Sequence, residues 1–141
     1  PKTNIENLLR SSGFRATTIR KLALQTLIET KQALSIQELH DILASNKKIN
    51  NPDWATVYRI LTQFEEVGLV FSFEANGVKK FEHSDSKSNH HHHHLICRDC
   101  QRIEHLSSCQ TKTLQNMVKS FEYKNVTHKL EFYGLCPDCS R

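Results

Sequence analysis

Five cysteines occur in the chain, and four of them form two C-x-x-C pairs, Cys97-x-x-Cys100 and Cys136-x-x-Cys139. A C-x-x-C turn presents two thiolates to one ion, and two such turns complete a tetrahedral four-cysteine zinc site. Four thiolates leave no open coordination position for a substrate, so the expected role is a structural Zn2+. The second pair lies at the C-terminal end of the sequence, where zinc would pin a segment that otherwise frays. The odd cysteine count, with opening residues PKTNIENLL that lack the apolar core of a signal peptide, argues against a disulfide framework. It favours metal binding in a reducing compartment, and a cytoplasmic location is expected. Cys109 is left over and reads as a small residue at a helix start.

Nine histidines accompany the cysteines, and His90 to His94 run consecutively into Leu95-Ile96-Cys97. In a strand, alternate residues point to opposite faces. His91 and His93 then share one face while His92 and His94 share the other, so one strand can feed two separate metal sites. Imidazole suits Zn, Ni, Cu and Fe, and added carboxylates extend the range to Mn. Three residues are candidates to complete these sites. Glu82 precedes the run and can reach it across a hinge. His105 follows the first C-x-x-C pair and can face the run. His128 precedes Cys136 and can reach back. His40 and His83 read as ordinary surface or core residues.

Two kinds of element must position these groups. The first half is patterned as helices. Ile5, Leu8 and Leu9 share one face of a short helix that stops near Gly13. Thr17 or Thr18 caps a second helix carrying Ile19, Leu22, Ala23, Thr26 and Leu27. Ser35-Ile36-Gln37-Glu38 is an S-x-x-E capping box that opens a third helix with Ile36, Leu39, Ile42 and Leu43 inward. Asn50-Asn51-Pro52-Asp53 breaks the chain and starts a fourth helix, with Trp54, Val57, Leu61 and Phe64 apolar and Gly68 as its stop. Two β-rich runs around Asn76-Gly77 then signal a hairpin. Helices followed by a hairpin match a winged helix.

The polar stretch HSDSKSN from residue 83 is the expected hinge. Beyond it the pattern predicts strands over His94–Cys97 and Gln101–Leu106, a helix over Gln110–Ser120 and a third strand over Val126–Tyr133. The predicted organisation is α+β, with a winged helix-turn-helix domain over 1–83, a hinge over 84–89 and a metal-binding α/β dimerisation domain over 90–141. At roughly 55 residues that last part buries little core alone, so a metal staple or a dimer partner is expected.

Composition limits the alternatives. The 141 residues carry 24% charged and 38% hydrophobic residues, ordinary for a globular protein. No apolar run approaches the ~18–20 residues needed to span a bilayer, so no membrane partner is expected. The formal charge is +4, with a pI near 8.9, which permits a nucleic-acid partner without requiring one. The excess is concentrated near the start, where Lys2, Arg10, Arg15, Arg20, Lys21 and Lys31 face only Glu6 and Glu29.

With these motifs assembled, the chain resembles the ferric uptake regulator family of metal-sensing, DNA-binding repressors. The likeness rests on Ala55-Thr56-Val57-Tyr58-Arg59-Ile60-Leu61-x-Gln63-Phe64, then Gly68, Phe81-Glu82, the His90–His94 run into Cys97-x-x-Cys100, and the terminal Cys136-x-x-Cys139. The resemblance implies that the helix containing ATVYR enters DNA, with Tyr58 and Arg59 contacting it, and that Arg15 reaches DNA from ahead of the second helix. It implies a regulatory site of Glu82, His92 and His94, with His105 standing where the family often has a carboxylate ligand. The His that the family usually adds before the third helix is here Ala33. It implies a further site of His91, His93 and His128, in which the family's glutamate on the C-terminal helix is replaced by Lys112.

The resulting expectation is a homodimeric, metal-responsive transcriptional repressor of metal homeostasis genes, not an enzyme. It would bind an inverted-repeat double-stranded DNA operator with Fe2+ or Zn2+ in the regulatory site, Mn2+ or Ni2+ being open alternatives. Two other readings stay open. One is a peroxide sensor acting by metal-catalysed oxidation of a ligand histidine. The other is a metal-binding protein or enzyme with no DNA target, although no H-E-x-x-H or deaminase pattern is present.

Overall fold

In the computed structural model, residues 4–84, 93–106, 112–124, 126 and 128–141 are described. His90, His91, His92, Cys109 and all of the expected 84–89 hinge but Ser84 lie outside the described residues. The chain divides into two units, Pro1–Ser86 and Lys87–Arg141.

The first unit holds four helices, α1 (Ile5–Ser11), α2 (Thr18–Thr30), α3 (Ile36–Ala44) and α4 (Trp54–Glu66), and three strands, β1 (Leu34–Ser35), β2 (Val70–Ala75) and β3 (Val78–His83). The boundaries follow from local chemistry. The Asn4, Thr17, Ser35 and Asp53 side chains each accept a hydrogen bond from an N–H of the first turn they precede. α1 and α4 stop in the same way. Gly13 and Gly68 take positive φ, at 89° and 77°. In each case the glycine N–H and the N–H after it bond back to the last turn: Gly13 to Arg10 and Phe14 to Leu9, Gly68 to Glu65 and Leu69 to Phe64. Phe14, Leu9, Leu69 and Phe64 all lie in or against the core, so each stop also folds the chain back onto it.

The wing turns on Asn76 and Gly77, both at positive φ, and pairs β2 with β3 in antiparallel register from Val70–His83 to Ala75–Val78. β1, absent from the sequence expectation, adds a third strand against β3. Its two residues are too few to leave a periodic signal. The core comprises Leu9, Leu24, Leu27, Leu39, Leu43, Val57, Leu61, Phe64 and Phe81, all essentially sealed from solvent. Ile42 departs from expectation: it is exposed, because Leu39 and Leu43 already fill the inward face of the short α3. Glu65 on α4 accepts from Ser72 and Lys79, which ties the helix to the wing.

Ser35 and Glu38 form the complete capping box, Glu38 N–H to Ser35 Oγ at 3.1 Å and Ser35 N–H to Glu38 Oε2 at 2.7 Å. Lys80 on β3 closes on the same carboxylate at 2.8 Å. Burial opposes ionisation of Glu38, but the hydrogen bonds from Lys80 and the Ser35 N–H, with the Lys80 charge, outweigh it and hold the carboxyl below its usual value. Ser35→Ala is expected to lower unfolding stability by about 1 kcal/mol, read as a shift of the urea midpoint at unchanged slope.

The second unit is built on β4 (His93–Cys97), with β5 (Ile103–Leu106) antiparallel on one edge and β6 (Glu131–Gly134) parallel on the other, plus α5 (Lys112–Lys119). β6 starts later than the predicted Val126, and residues 128–130 are not in a strand. Its ladder with β4 runs from His94–Glu131 to Cys97–Gly134. Among the described residues of this unit, Ile96 and Cys97 are the buried apolar side chains, and His93 and His94 are buried beside them.

Candidate metal centres and nucleic-acid interface

The two C-x-x-C turns meet. Cys97 ends β4, Cys100 lies in the turn after it, and Cys136 and Cys139 follow β6, which runs alongside β4. The four Sγ atoms lie within 4.8 Å of one another, and Cys100 Sγ is 3.7 Å from Cys136 Sγ. Thiolates on a tetrahedral zinc at ~2.3 Å stand about 3.8 Å apart, so spacing and donor set fit zinc. The backbone is already arranged for negative sulfur. The Cys136 N–H donates to Cys97 Sγ at 3.4 Å. That bond and a second backbone N–H, from Cys100, draw the Cys97 thiol down to about 6. Cys139 is pushed up, first by its hydrogen bond with the neighbouring Cys136 thiol and then by burial. Arg102, just past the first turn, binds Asp138 inside the second at 2.9 Å. It thereby links the two turns and sets a cation beside the sulfurs.

β4 also distributes its histidines. His94 is in register with His105 on β5, with ring centroids 5.3 Å apart and a ring nitrogen of each within 4.8 Å of the other. His93, on the opposite face of the strand, meets His128, also at 5.3 Å between centroids. Both β4 imidazoles are 2% exposed. Two imidazole pairs from one strand is the outcome of a period of two. Gln115 on α5, one turn beyond Lys112, places its amide nitrogen 3.3 Å from His128 Nδ1. The sequence reading missed it, although the three-residue offset along one helix face was visible. His91 and His92 fall outside the described residues. Glu82 is buried near the end of β3 in the first unit. Ala33 lies half-buried in the loop before β1. His40 is held structurally, its Nε2 2.9 Å from the Pro52 carbonyl oxygen, and His83 Nδ1 lies 3.1 Å from the Leu69 carbonyl oxygen.

α4 buries Val57, Ile60, Leu61 and Phe64 and turns Tyr58 and Arg59 outward. Both are exposed, as nucleic-acid contacts must be in the free protein. Trp54 departs from expectation: although apolar, it lies on the outer face, 46% exposed. Hydrophobic periodicity records polarity, and position 54 falls one turn before Tyr58 on the outer stripe. Arg15 is exposed on a fixed backbone, its carbonyl accepting from Thr17 N–H at 2.9 Å and from Arg20 at 3.4 Å. Arg20 is itself held by Gln63 and by the Phe14 ring.

Comparison with known proteins agrees with this geometry. The ferric uptake regulator family matches residues 11–133. The ferric uptake regulation protein of Legionella pneumophila is 34% identical over 135 residues, covering 93% of this chain and 95% of its own. The peroxide-responsive repressor PerR of Staphylococcus saprophyticus is 31% identical over 137 residues, covering 93% and 86%. The iron-containing ferric uptake regulator structure from Francisella tularensis superposes with a TM-score of 0.75 at 28% identity, covering 92% of this chain and 96% of its own. A winged helix, a four-cysteine cluster suited to zinc and a histidine-bearing strand in one chain, matched over nearly its whole length, place it in the ferric uptake regulator family of DNA-binding, metal-responsive transcription regulators.

Proposed function

We propose that this chain is a homodimeric repressor whose grip on an inverted-repeat operator is set by Fe(II) or Zn(II), and that it controls uptake of that metal in the cytoplasm. The observation that carries the reading is the His94–His105 pair, in which buried His94 on β4 meets exposed His105 on β5 as a ready two-nitrogen cradle. Glu82 and His92 complete this regulatory site, and His91, His93 and His128 form the additional one. Because Glu82 belongs to the first unit and the histidines to the second, ligation makes the relation between the units depend on metal occupancy. Such control works only if metal binds one arrangement better. A shift from 1:99 to 99:1 needs ~5.5 kcal/mol of differential affinity.

Tyr58, Arg59 and Arg15 are assigned to DNA. Arg59 can fork onto guanine or phosphate, Tyr58 can pack on thymine methyls, and Arg15 can enter a minor groove. A second copy is supported by what the second unit leaves uncovered. Leu114, Met117, Val118, Phe121 and Phe132 are exposed, while its own buried apolar core is small. A dimer covers that face, doubles the +4 charge and spaces two recognition helices ~34–36 Å apart for successive turns of DNA.

The test is fluorescence anisotropy on a family-type inverted repeat at fixed salt. The protein keeps its four-cysteine zinc, is stripped of other metal, and receives Fe(II), Zn(II), Mn(II) or Ni(II) separately without oxygen. Tight binding restored by one metal at far lower concentration than the others is expected and names it. Equal binding with and without metal would overturn metal control. The PerR relative favours a second reading, peroxide sensing. One added oxygen on His92 or His94 after peroxide treatment of the Fe(II) form, with loss of DNA binding, would decide for it.

A further inference from the structure

The outer face of α4 carries a feature that the assignment of Tyr58 and Arg59 leaves unused. The Trp54 and Tyr58 rings are stacked, with centroids 5.8 Å apart and planes 12° from parallel. Both stay in solvent, at 46% and 48% exposure. They are one helical turn apart, so the pair forms one continuous aromatic surface across the first two turns of α4. Each ring braces the other, and such a surface meets a partner with little ordering left to do. Arg59, next in sequence to Tyr58, is also exposed, and the loop that enters α4 exposes Lys47 and Lys48. An apolar surface set among cations fits duplex DNA better than an apolar protein face. The apolar group that DNA offers to a helix in its major groove is the thymine 5-methyl. Residues at the start of a recognition helix are the ones that reach base edges.

We propose that Trp54 is a second aromatic reader of the operator, packing its indole on a thymine methyl next to the base contacted by Tyr58. The inference rests on the assignment of α4 to DNA and adds a position of sequence specificity to it. Trp54 is the one tryptophan in the chain, so its fluorescence reports this contact without any label.

The experiment uses the intact, metal-loaded protein and a duplex that this protein selects from a randomised pool. The same duplex is also made with each thymine in turn replaced by deoxyuridine, which removes only the methyl. Wild-type Trp54 fluorescence is expected to change on binding. Besides any methyl read by Tyr58, one thymine-to-uracil change per half-site should weaken wild-type binding about fourfold, the worth of one buried methyl-sized group, and this is the position whose sensitivity Trp54→Ala should abolish. Trp54→Ala should bind the unmodified duplex more weakly and be indifferent to that methyl. Since Trp54 is exposed, the variant should melt at the wild-type temperature; in the wild type, the uracil change that abolishes the Trp54 fluorescence response marks its thymine without any variant.

Unchanged fluorescence on a duplex that the wild type binds tightly would overturn the proposal and leave the α4 assignment standing. So would a fluorescence change with no methyl dependence, which would mean a backbone contact. A Trp54 signal that follows protein concentration instead of DNA would assign the pair to a protein surface and overturn it as well. Failure to select any duplex would sink the DNA assignment, and the proposal with it.

Discussion

Cys136→Ser is expected to release the zinc and unfold the Lys87–Arg141 unit while Pro1–Ser86 stays folded. The second unit has little else to hold it. Its buried apolar side chains among the described residues are Ile96 and Cys97, and Cys97 is itself a ligand candidate. β6 is held to β4 by a short parallel ladder and, just past its end, by the sulfurs. Structural zinc sites contribute apparent binding energies of ~10–16 kcal/mol, as large as the whole stability of a small domain. Losing one of four thiolates therefore removes more than the unit can spare. The first unit has its own core around Leu9, Leu39, Phe64 and Phe81 and shares no side chain with the cluster. The measurement is zinc content by mass spectrometry, paired with hydrogen exchange resolved by unit. Zinc should fall from about one per chain in the four-cysteine site to near none. Protection should vanish for β4–β6 and persist for α2, α3 and α4. Full zinc retention in the variant would show that Cys136 is not a ligand.

How much of this was legible in the sequence depends on the range of each interaction. Local rules carried well. Ser35 and Glu38 make the capping box at the three-residue spacing that announces it, and Asn76-Gly77 turns the wing because both residues accept positive φ. His93 and His94, the described end of the histidine run, fall on opposite faces because strand period is a property of the backbone alone: His94 goes to His105 and His93 to His128. What failed depends on partners distant in the chain. β1 exists through its pairing with β3, and β6 through its parallel pairing with β4. Gln115 meets His128 through the packing of a helix against an irregular segment. Trp54 and Ile42 show a different limit. Both are apolar, yet the inward stripes of α4 and α3 were already filled, and an apolar residue off the stripe goes to the surface.

His94→Gln is expected to remove the metal dependence of DNA binding while leaving zinc in the four-cysteine cluster. His94 sits buried in the middle strand of its sheet, flanked in register by His105 and Glu131, with its ring 5.3 Å from that of His105. Glutamine keeps a polar group of similar reach and limits the cavity, but a neutral amide is a poor ligand for Fe(II) or Zn(II). With that nitrogen lost, occupancy no longer favours one relation between the two units. Coupling energies of this kind are typically 1–3 kcal/mol, so affinity in the presence of metal should drop by about 5–150-fold, to the metal-free level. Metal-free affinity should stay where it was, because Tyr58, Arg59 and Arg15 all belong to the first unit and the substitution to the second. His93→Gln on the other face of β4 provides the contrast. It should perturb the His128 pair and leave most of the metal response in place, which separates the two faces of one strand. If His94→Gln still binds the operator as tightly with metal as the wild type does, the His94–His105 pair is not the sensor. A loss confined to His93→Gln would transfer that role to the pair with His128.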